Sequence, residues 1–349
     1  MDRRTLIRSA FAALLPAAPS AAFAASQATE AARLAPSPVE VRYGEWRDLA
    51  RNDRVVPYKA YVPAGAGPFP TIIHSHGLGG SREASTYILE AVARAGFLVV
   101  ALQHAGSDSG LLAGGGGRAG LVAAGRRGMT AEAAQARYGD TPFAIDQLAR
   151  GASPDLRGKA DLSRLGMSGH SYGALATLVA VGQRTPGAAR SFAEPRIRAA
   201  IAYSPNKPRN EAPRAALAKI RTPMLHFTGT EDVTPFDLER SPMERTLPFQ
   251  AIEGADQFLV VLEGGDHAVF GGRRTGAQMK PTDPAHMRLV TDETIRFWRA
   301  YLGGDARAAA ELCALPGRVR PIAQGFVKAG RCGAPTAIPD AWRPGAVEP

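Results

Sequence analysis

Short apolar runs alternate along the chain with longer segments of helical periodicity. Between residues 39 and 62, apolar and polar positions alternate with interruptions typical of turns, which predicts antiparallel strands at a sheet edge. The apolar runs that follow have the length of buried strands. This alternation predicts a mostly parallel central sheet with helices on both faces, an α/β fold. The predicted strands span 71–74, 97–102, 162–167, 197–203, 224–228 and 258–262, and the predicted helices span 85–95, 140–149, 172–182 and 285–301.

One stretch interrupts the alternation. Residues 105–135 contain glycine at each of positions 114–117 and no apparent strand. Long connections without regular structure in compact domains are usually functional or mobile. We therefore expect an insertion or lid that borders the functional site, with a tolerated surface insertion as the alternative. The main α/β domain is expected over 39–302, followed by a Pro- and Gly-rich tail over 303–349.

The N-terminal residues have the features of an export signal. Three arginines within the first eight residues precede an uncharged run that ends in Ala22-Phe23-Ala24, a small-residue cleavage pattern. This run contains two prolines and is too short to be a membrane span. The stretch DRRTLIR resembles the twin-arginine motif, so the export machinery of that route is an expected partner, with a general secretory signal as the alternative. We expect a signal at 1–24, a linker at 25–38 and a periplasmic or secreted bacterial protein.

Composition and charge narrow the classes of protein further. Of the 349 residues, 45% are hydrophobic and 21% are charged, which excludes a disordered chain and a multi-span membrane protein. The formal net charge of +10 comes from scattered basic residues rather than a basic helix, so nucleic-acid binding is not expected. Two cysteines in an exported chain, Cys313 and Cys332, predict one disulfide, with two free thiols as the alternative.

A candidate nucleophile follows the predicted strand 162–167, which runs into Gly169-His170-Ser171-Tyr172-Gly173 and then a helical segment. The pattern G-x-S-x-G is weak alone, but a strand before it and a helix after it are the context that a nucleophile needs. Gly169 and Gly173 permit a tight turn that presents the Ser171 hydroxyl over the sheet edge at a helix N-terminus. The alternative is a structural serine in a Gly-rich turn.

A nucleophilic serine needs a base, and that base needs an orienting carboxylate. Asp232 lies on the loop after the strand 224–228, and His267 on the loop after the last predicted strand. Open α/β sheets place their sites on loops at the carboxyl ends of strands. Ser171, Asp232 and His267 are therefore the predicted catalytic triad.

Other acidic residues and histidines are weaker candidates for these roles. Glu231 is expected to point elsewhere, and Asp266 is too close in sequence to orient the adjacent His267. His286 opens the last helix, where a solvated face is expected. The remaining histidines lie at the ends of early strands, within a strand or inside the turn around Ser171.

No metal or dinucleotide site is predicted. The pair His74-x-His76 has no third ligand nearby with suitable spacing. A G-x-G-x-x-G match at 115–120 does not directly follow a strand, as a dinucleotide-binding turn must.

Four segments together resemble the α/β-hydrolase fold, a likeness that covers roughly residues 40–300: 76–81 (HGLGGS), 169–174, 229–232 and 266–267. Within this fold the chain is most similar to exported serine esterases near the platelet-activating-factor acetylhydrolases, the predicted dienelactone hydrolases and the cutinase-like polyester hydrolases. Dienelactone hydrolase proper has a Cys nucleophile, so Ser171 departs from it and that substrate is not implied. The resemblance implies an oxyanion hole formed by the N–H groups of Leu78 and Tyr172, with Gly77 and Gly79 in the supporting loop.

The resemblance and the triad imply an exported serine hydrolase of carboxylic esters that forms an acyl-enzyme and needs no cofactor. A polymer or polyester hydrolase with an open cleft is the first alternative, and the position of 105–135 relative to Ser171 discriminates between the two. A non-catalytic binding protein of the same fold is the second alternative, but such a protein would normally have lost a triad member.

Overall fold

A nine-stranded sheet organises the protein. The computed structural model describes residues 38–113, 117–188, 190–209, 211–234, 241–272 and 274–339. The strands are β1 (Val39–Asp48), β2 (Arg54–Pro63), β3 (Phe69–Ser75), β4 (Leu98–Leu102), β5 (Ala160–His170), β6 (Ile197–Tyr203), β7 (Met224–Glu231), β8 (Gln257–Asp266) and β9 (Ala323–Lys328). Their order is β1-β2-β4-β3-β5-β6-β7-β8-β9. The strands from β4 to β8 in this order are parallel, and β1, β2 and β9 are joined by antiparallel pairing.

Helices cover both faces of the sheet. They are α1 (Thr86–Arg94), α2 (Gly117–Gly128), α3 (Ala131–Ala149), α4 (Tyr172–Ala180), α5 (Pro213–Leu217), α6 (Leu247–Ala251), α7 (His267–Gly271), α8 (Asp283–Tyr301), α9 (Ala306–Cys313) and α10 (Leu315–Arg318). One apolar core packs α3 and α4 against the sheet, and a second packs α1 and α8 against the opposite face. Ile73 contributes to the first core and Ile72 to the second, because successive side chains of a strand point to opposite faces. The predicted α/β architecture is confirmed.

The predicted strands are present because each is a buried apolar run. All five residues of β4 are fully buried, as expected for a strand covered on both faces. The predicted antiparallel edge is the pair β1–β2, in which Val39 lies opposite Pro63. The ninth strand was not predicted, and it pairs antiparallel with β8.

Residues 105–135 are not a structureless connection, contrary to the prediction. They contain the 3-10 turn Ser109–Leu112 and α2, and α3 begins well before its predicted start. Gly128 ends α2 where the helix packs so closely that a Cβ would lie 2.5 Å from Leu111 Cδ1 and 2.7 Å from Leu78 Cδ1. Glycine at position 128 serves close packing. Residues 114–116 lie outside the described residues.

The chain after residue 302 packs onto the sheet edge. Leu312 and Leu315 are fully buried in the second core, and a disulfide joins Cys313 at the end of α9 to Cys332 after β9. The predicted export signal lies outside the described residues, as do nearly all of the predicted linker and residues 340–349. Among the described helices, none combines the length and apolar character that a bilayer crossing requires.

Removing the disulfide should destabilise the protein. The bridge links positions 19 residues apart, and a loop of this size constrains the unfolded chain by about 3 kcal/mol in the chain-entropy model. We expect the double variant Cys313→Ala/Cys332→Ala to unfold at a lower urea concentration than the oxidised protein. The reduced wild type should unfold at the same urea concentration as the double variant. Equal urea midpoints for the oxidised and the reduced wild type would contradict the expectation.

Candidate active site

Ser171 lies in the tight turn between β5 and α4 at the carboxyl edge of the sheet. Its backbone has φ +56° and ψ −114°, a conformation that residues other than glycine rarely adopt. Neighbouring glycines permit this turn, since a Cβ on Gly173 would lie 1.8 Å from the Ser75 carbonyl oxygen and one on Gly169 would lie 2.2 Å from the Gly173 carbonyl oxygen. The Tyr203 carbonyl accepts the Ser171 N–H at 2.9 Å.

His267 and Asp232 meet at the same edge of the sheet. Asp232 follows β7 and His267 follows β8, and His267 Nδ1 lies 2.8 Å from Asp232 Oδ1. The Asp232 side chain has no exposed surface, whereas 21% of the His267 side chain is exposed, so the imidazole remains accessible. The His267 ring packs against His170 with ring centroids 4.6 Å apart, and no hydrogen bond joins it to Ser171 Oγ among these described side chains.

Polar groups surround the Asp232 carboxylate. Ser204 Oγ donates to Oδ1 at 2.9 Å, Thr228 Oγ1 donates to Oδ2 at 2.8 Å, and Arg245 Nε lies 3.2 Å from Oδ1. Burial alone would raise the pKa of Asp232, but the Arg245 charge and the hydrogen bonds from His267 and Ser204 outweigh it and lower that pKa. Asp232 therefore stays ionised beside His267 at neutral pH.

Sequence reasoning missed three of these groups: Ser204, Thr228 and Arg245. Ser204 directly follows β6 with φ +55°, and its Oγ also lies 2.8 Å from His267 Nδ1. The positions of Ser204 and Thr228 at strand ends were a usable signal, because α/β sheets build their sites there. Arg245 gave no such signal, since it reaches Asp232 from the short 3-10 turn Pro242–Thr246.

The weaker candidates for acid and base have other partners. Glu231 and Asp266 both form ion pairs with Lys280, and Asp266 also pairs with Arg274. His286 was predicted to face solvent, and this prediction is wrong. The residue is 2% exposed, because α8 packs this side of its first turn against the protein.

The loop after β3 passes directly against the turn at Ser171. A Cβ on Gly77 would lie 3.4 Å from Ser171 Cβ, and Gly79 has φ +66°, which suits glycine. The N–H groups of Leu78 and Tyr172 have no hydrogen-bond acceptor among the residues that the structure describes. The oxyanion role of these two N–H groups stays a prediction.

A second Ser-His-Asp array lies buried behind this loop. Ser75 Oγ is 2.9 Å from His104 Nε2, and His104 Nδ1 is 2.9 Å from Asp140 Oδ2. All three residues are 0% exposed, so a substrate cannot reach Ser75. Burial, reinforced by the charge of Arg137, lowers the pKa of His104 to about 4 and keeps its ring neutral. This array is therefore structural despite its triad-like contacts.

Ser171 lines a cavity of about 320 Å³. Apolar side chains of α4, Leu175 and Val179, form one part of its wall, and Met129 and Ala134 form another. The second part of the 105–135 segment thus borders the cavity that contains Ser171.

Two family models match parts of this chain. The model "Serine hydrolase (FSH1)" matches residues 160–242, which include Ser171 and Asp232. The model "Platelet-activating factor acetylhydrolase, isoform II" matches residues 55–110, which include the loop after β3. The sheet order and these two matches together support an α/β-hydrolase fold of the serine hydrolase type. The resemblance inferred from the sequence is confirmed, and the matches support an enzyme that hydrolyses esters.

His267 of the hydrolase lies outside both matched ranges. No match to a curated protein reaches significance.

Arg245→Gln in the hydrolase should raise the pKa of Asp232, because the variant loses the cation beside the carboxylate while Ser204 and Thr228 still donate to it. The carboxylate then becomes protonated at a higher pH than in the wild type. The measurement is a ¹³C NMR titration of the Asp carboxyl carbons from pH ~2 to pH ~6.

Arg274→Gln is the matched control. Hydrogen bonds from Arg274 and Lys280 outweigh burial and lower the pKa of Asp266 to about 2. This control should raise the pKa of Asp266 and leave that of Asp232 in place. An Asp232 signal that titrates identically in Arg245→Gln and wild type would refute the electrostatic role of Arg245.

Gly173→Ala should destabilise the hydrolase by about 3 kcal/mol or more, because its Cβ would overlap the Ser75 carbonyl, which is backbone and cannot move aside. Gly317→Ala is the control, since a Cβ there meets no atom within 4 Å. That control should be neutral or stabilise its helix by up to about 1 kcal/mol. Urea unfolding measures both, and equal stability of the two variants would show that the turn at Ser171 has room for a side chain.

Proposed function

We propose that the hydrolase is an exported serine hydrolase of carboxylic esters that acts through Ser171, His267 and Asp232. One observation carries the proposal: the strained Ser171 turn and the His267–Asp232 pair, 2.8 Å apart, occupy the same edge of the sheet. The two family matches support ester hydrolysis as the chemistry.

In the proposed mechanism, His267 Nε2 accepts the Ser171 Oγ proton as the oxygen attacks the ester carbonyl. Asp232 accepts the Nδ1–H hydrogen bond and stabilises the imidazolium that forms. His267 then gives this proton to the leaving alcohol, and an acyl-enzyme remains. A water molecule loses a proton to His267, attacks the acyl-enzyme, and Ser171 recovers its proton as the acid leaves. The hydrogen bond between Ser171 and His267 forms when the ester binds, since catalytic contacts often shorten in the substrate complex.

The tetrahedral intermediate needs donors for its oxyanion. The backbone N–H groups of Leu78 and Tyr172 suit this role, because no described residue occupies them and Gly77 brings the loop close to Ser171. One donor of this kind is worth about 10²–10³ in kcat. The proposed chemistry requires no cofactor.

The cavity favours a small-molecule ester over a polymer. Its volume of about 320 Å³ lies near the lower end of typical ligand pockets, and its wall includes the apolar residues Met129, Leu175 and Val179. Because part of 105–135 lines this cavity instead of lying away from Ser171, the apolar group of a small ester fits it better than an extended polymer chain. Polyester hydrolysis is the second candidate and uses the same triad.

Export is proposed from the sequence of residues 1–24, with the twin-arginine route as the preferred one. The Cys313–Cys332 disulfide is compatible with an oxidising compartment such as the periplasm.

Hydrolysis of p-nitrophenyl esters from acetate to palmitate tests the proposal. Ser171→Ala should lower kcat by at least about 10³-fold, because the acyl-enzyme cannot form. Ser163→Ala, at an exposed serine of β5, is the matched control and should keep the wild-type rate. The ester with the highest kcat/KM reports the length of the cavity.

Two outcomes would contradict the proposal. An undiminished rate in Ser171→Ala would assign hydrolysis to another residue. A wild-type protein that turns over none of these esters would favour the binding-protein alternative.

A further inference from the structure

Arg137 is a fully buried cation that the proposed mechanism does not use. It lies on α3 between Ala134 and Tyr138, which line the cavity. Burial lowers the pKa of Arg137 to about 10, so the guanidinium remains charged at neutral pH. Among the described residues, no carboxylate forms an ion pair with it. A buried charge without such a partner is costly, which points to a role beyond packing.

The Arg137 guanidinium holds the chain on both sides of Leu78. Nη2 donates to the His76 carbonyl oxygen, two residues before Leu78. Nη1 donates to Ser107 Oγ at 2.9 Å, and the Ser107 carbonyl accepts the N–H of Gly79 at 2.9 Å. One side chain therefore supports the loop before Leu78 directly and the loop after it through Ser107.

The same guanidinium also contacts the second candidate oxyanion donor. Arg137 Cζ lies 4.7 Å from the centroid of the Tyr172 ring, within the range of a cation–π interaction. Tyr172 is the first residue of α4 and is 5% exposed. Arg137 thus contacts the chain around Leu78 and also the side chain of the residue that carries the second N–H group.

The buried Ser-His-Asp array orients Arg137. Neutral His104 donates its Nδ1–H to Asp140 and accepts the Ser75 hydroxyl at Nε2, which leaves a Ser75 lone pair to accept Arg137 Nη2 at 2.9 Å. Arg54 fixes the Asp140 carboxylate with two hydrogen bonds of 2.7 and 2.8 Å. Each donor in this series of hydrogen bonds points towards the next acceptor, so the array favours a single arrangement of the guanidinium.

We propose that Arg137 is a positioning residue of the oxyanion hole. It holds the Leu78 and Tyr172 N–H groups where the tetrahedral oxyanion forms, and the Ser75–His104–Asp140 array holds Arg137. The inference rests on the proposed function, because it requires an oxyanion formed by attack of Ser171. It implies that Arg137 affects the transition state much more than it affects substrate binding.

The test measures kcat, KM and inhibitor affinity for Arg137→Gln and Arg137→Lys with p-nitrophenyl butyrate. Arg137→Gln should lower kcat by about 10²–10³-fold and leave KM within a few-fold of wild type, because the loss falls on the oxyanion donors. Arg137→Lys should restore part of kcat, since an ammonium reaches one acceptor but lacks the planar fork. An alkylboronic acid, which forms an anionic tetrahedral adduct with Ser171, should bind more weakly by the same factor as kcat. A non-reactive ether analogue of the substrate should bind unchanged.

Two matched controls separate positioning from general stability. Ser153→Ala deletes a buried hydroxyl that bonds Trp46 Nε1 and Tyr58 OH, each at 2.8 Å, before β5 begins. Arg196→Gln removes a guanidinium that pairs with Glu194 next to the start of β6. Arg196 lies at the amino end of β6, opposite the sheet edge that carries Ser171, and Ser153 bonds Trp46 and Tyr58 rather than any group that holds Arg137. Both variants should therefore keep wild-type kcat and boronate affinity.

Ser107→Ala provides a milder variant that keeps the cation. It removes the Arg137 Nη1 contact together with the 3.3 Å hydrogen bond from Ser107 Oγ to the His104 carbonyl. It should lower kcat and boronate affinity by about 10-fold, the effect of modest hydrogen bonds on the loop. If Arg137→Gln does not fold, Ser107→Ala and Arg137→Lys are measured on the same two readouts.

The proposal would be overturned if the folded Arg137 variants kept wild-type kcat and boronate affinity. Where the Gln variant fails to fold, the same result in Ser107→Ala and Arg137→Lys would overturn it. A loss confined to KM would do the same. A wild-type protein that hydrolyses no ester would overturn the proposed function itself, so the two failures are distinguishable.

Discussion

The direct contact between the start of α4 and the end of β3 is the constraint on which the site depends. Gly173 lies so close to the Ser75 carbonyl that no side chain fits between them. Beside this contact Ser171 has a strained positive-φ backbone, and the loop at Gly77 packs against it. The nucleophile candidate and the oxyanion loop are therefore fixed by one backbone contact, and their relative position does not depend on flexible side chains.

The His267–Asp232 pair and the array of Ser75, His104 and Asp140 have opposite surroundings. Solvent reaches the His267 imidazole, whereas the array of Ser75, His104 and Asp140 is sealed. A serine, a histidine and an aspartate that are hydrogen-bonded in this order therefore do not by themselves identify a reactive triad. Accessibility and the strained backbone of the serine separate the two, and a buried array of this kind is suited to holding neighbouring groups in place.

The sequence was most informative where local chemistry determines structure. Buried apolar runs such as β4 predicted the sheet, and G-x-S-x-G predicted the turn at Ser171 because tight backbone turns demand glycine at fixed positions. Arg245 and Arg137 could not be predicted, since each acts on partners far away in sequence and resembles a surface arginine when read alone. The helices within residues 105–135 were not predicted, because a Gly-rich composition is also typical of loops. Strand β9 was missed because its short run lies in a Pro- and Gly-rich segment.

The position of β9 has a consequence for how the protein is made. Strand β8 carries His267 at its carboxyl end, and β9 pairs with its outer side from Gln257 to Leu262. Until β9 emerges from the ribosome, β8 is an unpaired apolar edge strand, which is a template for association with another chain. The last-synthesised strand of the described sheet therefore covers this apolar edge. The described sheet is complete only once residues 323–328 have been made, and a chain that stops before them would expose β8 to association with other chains.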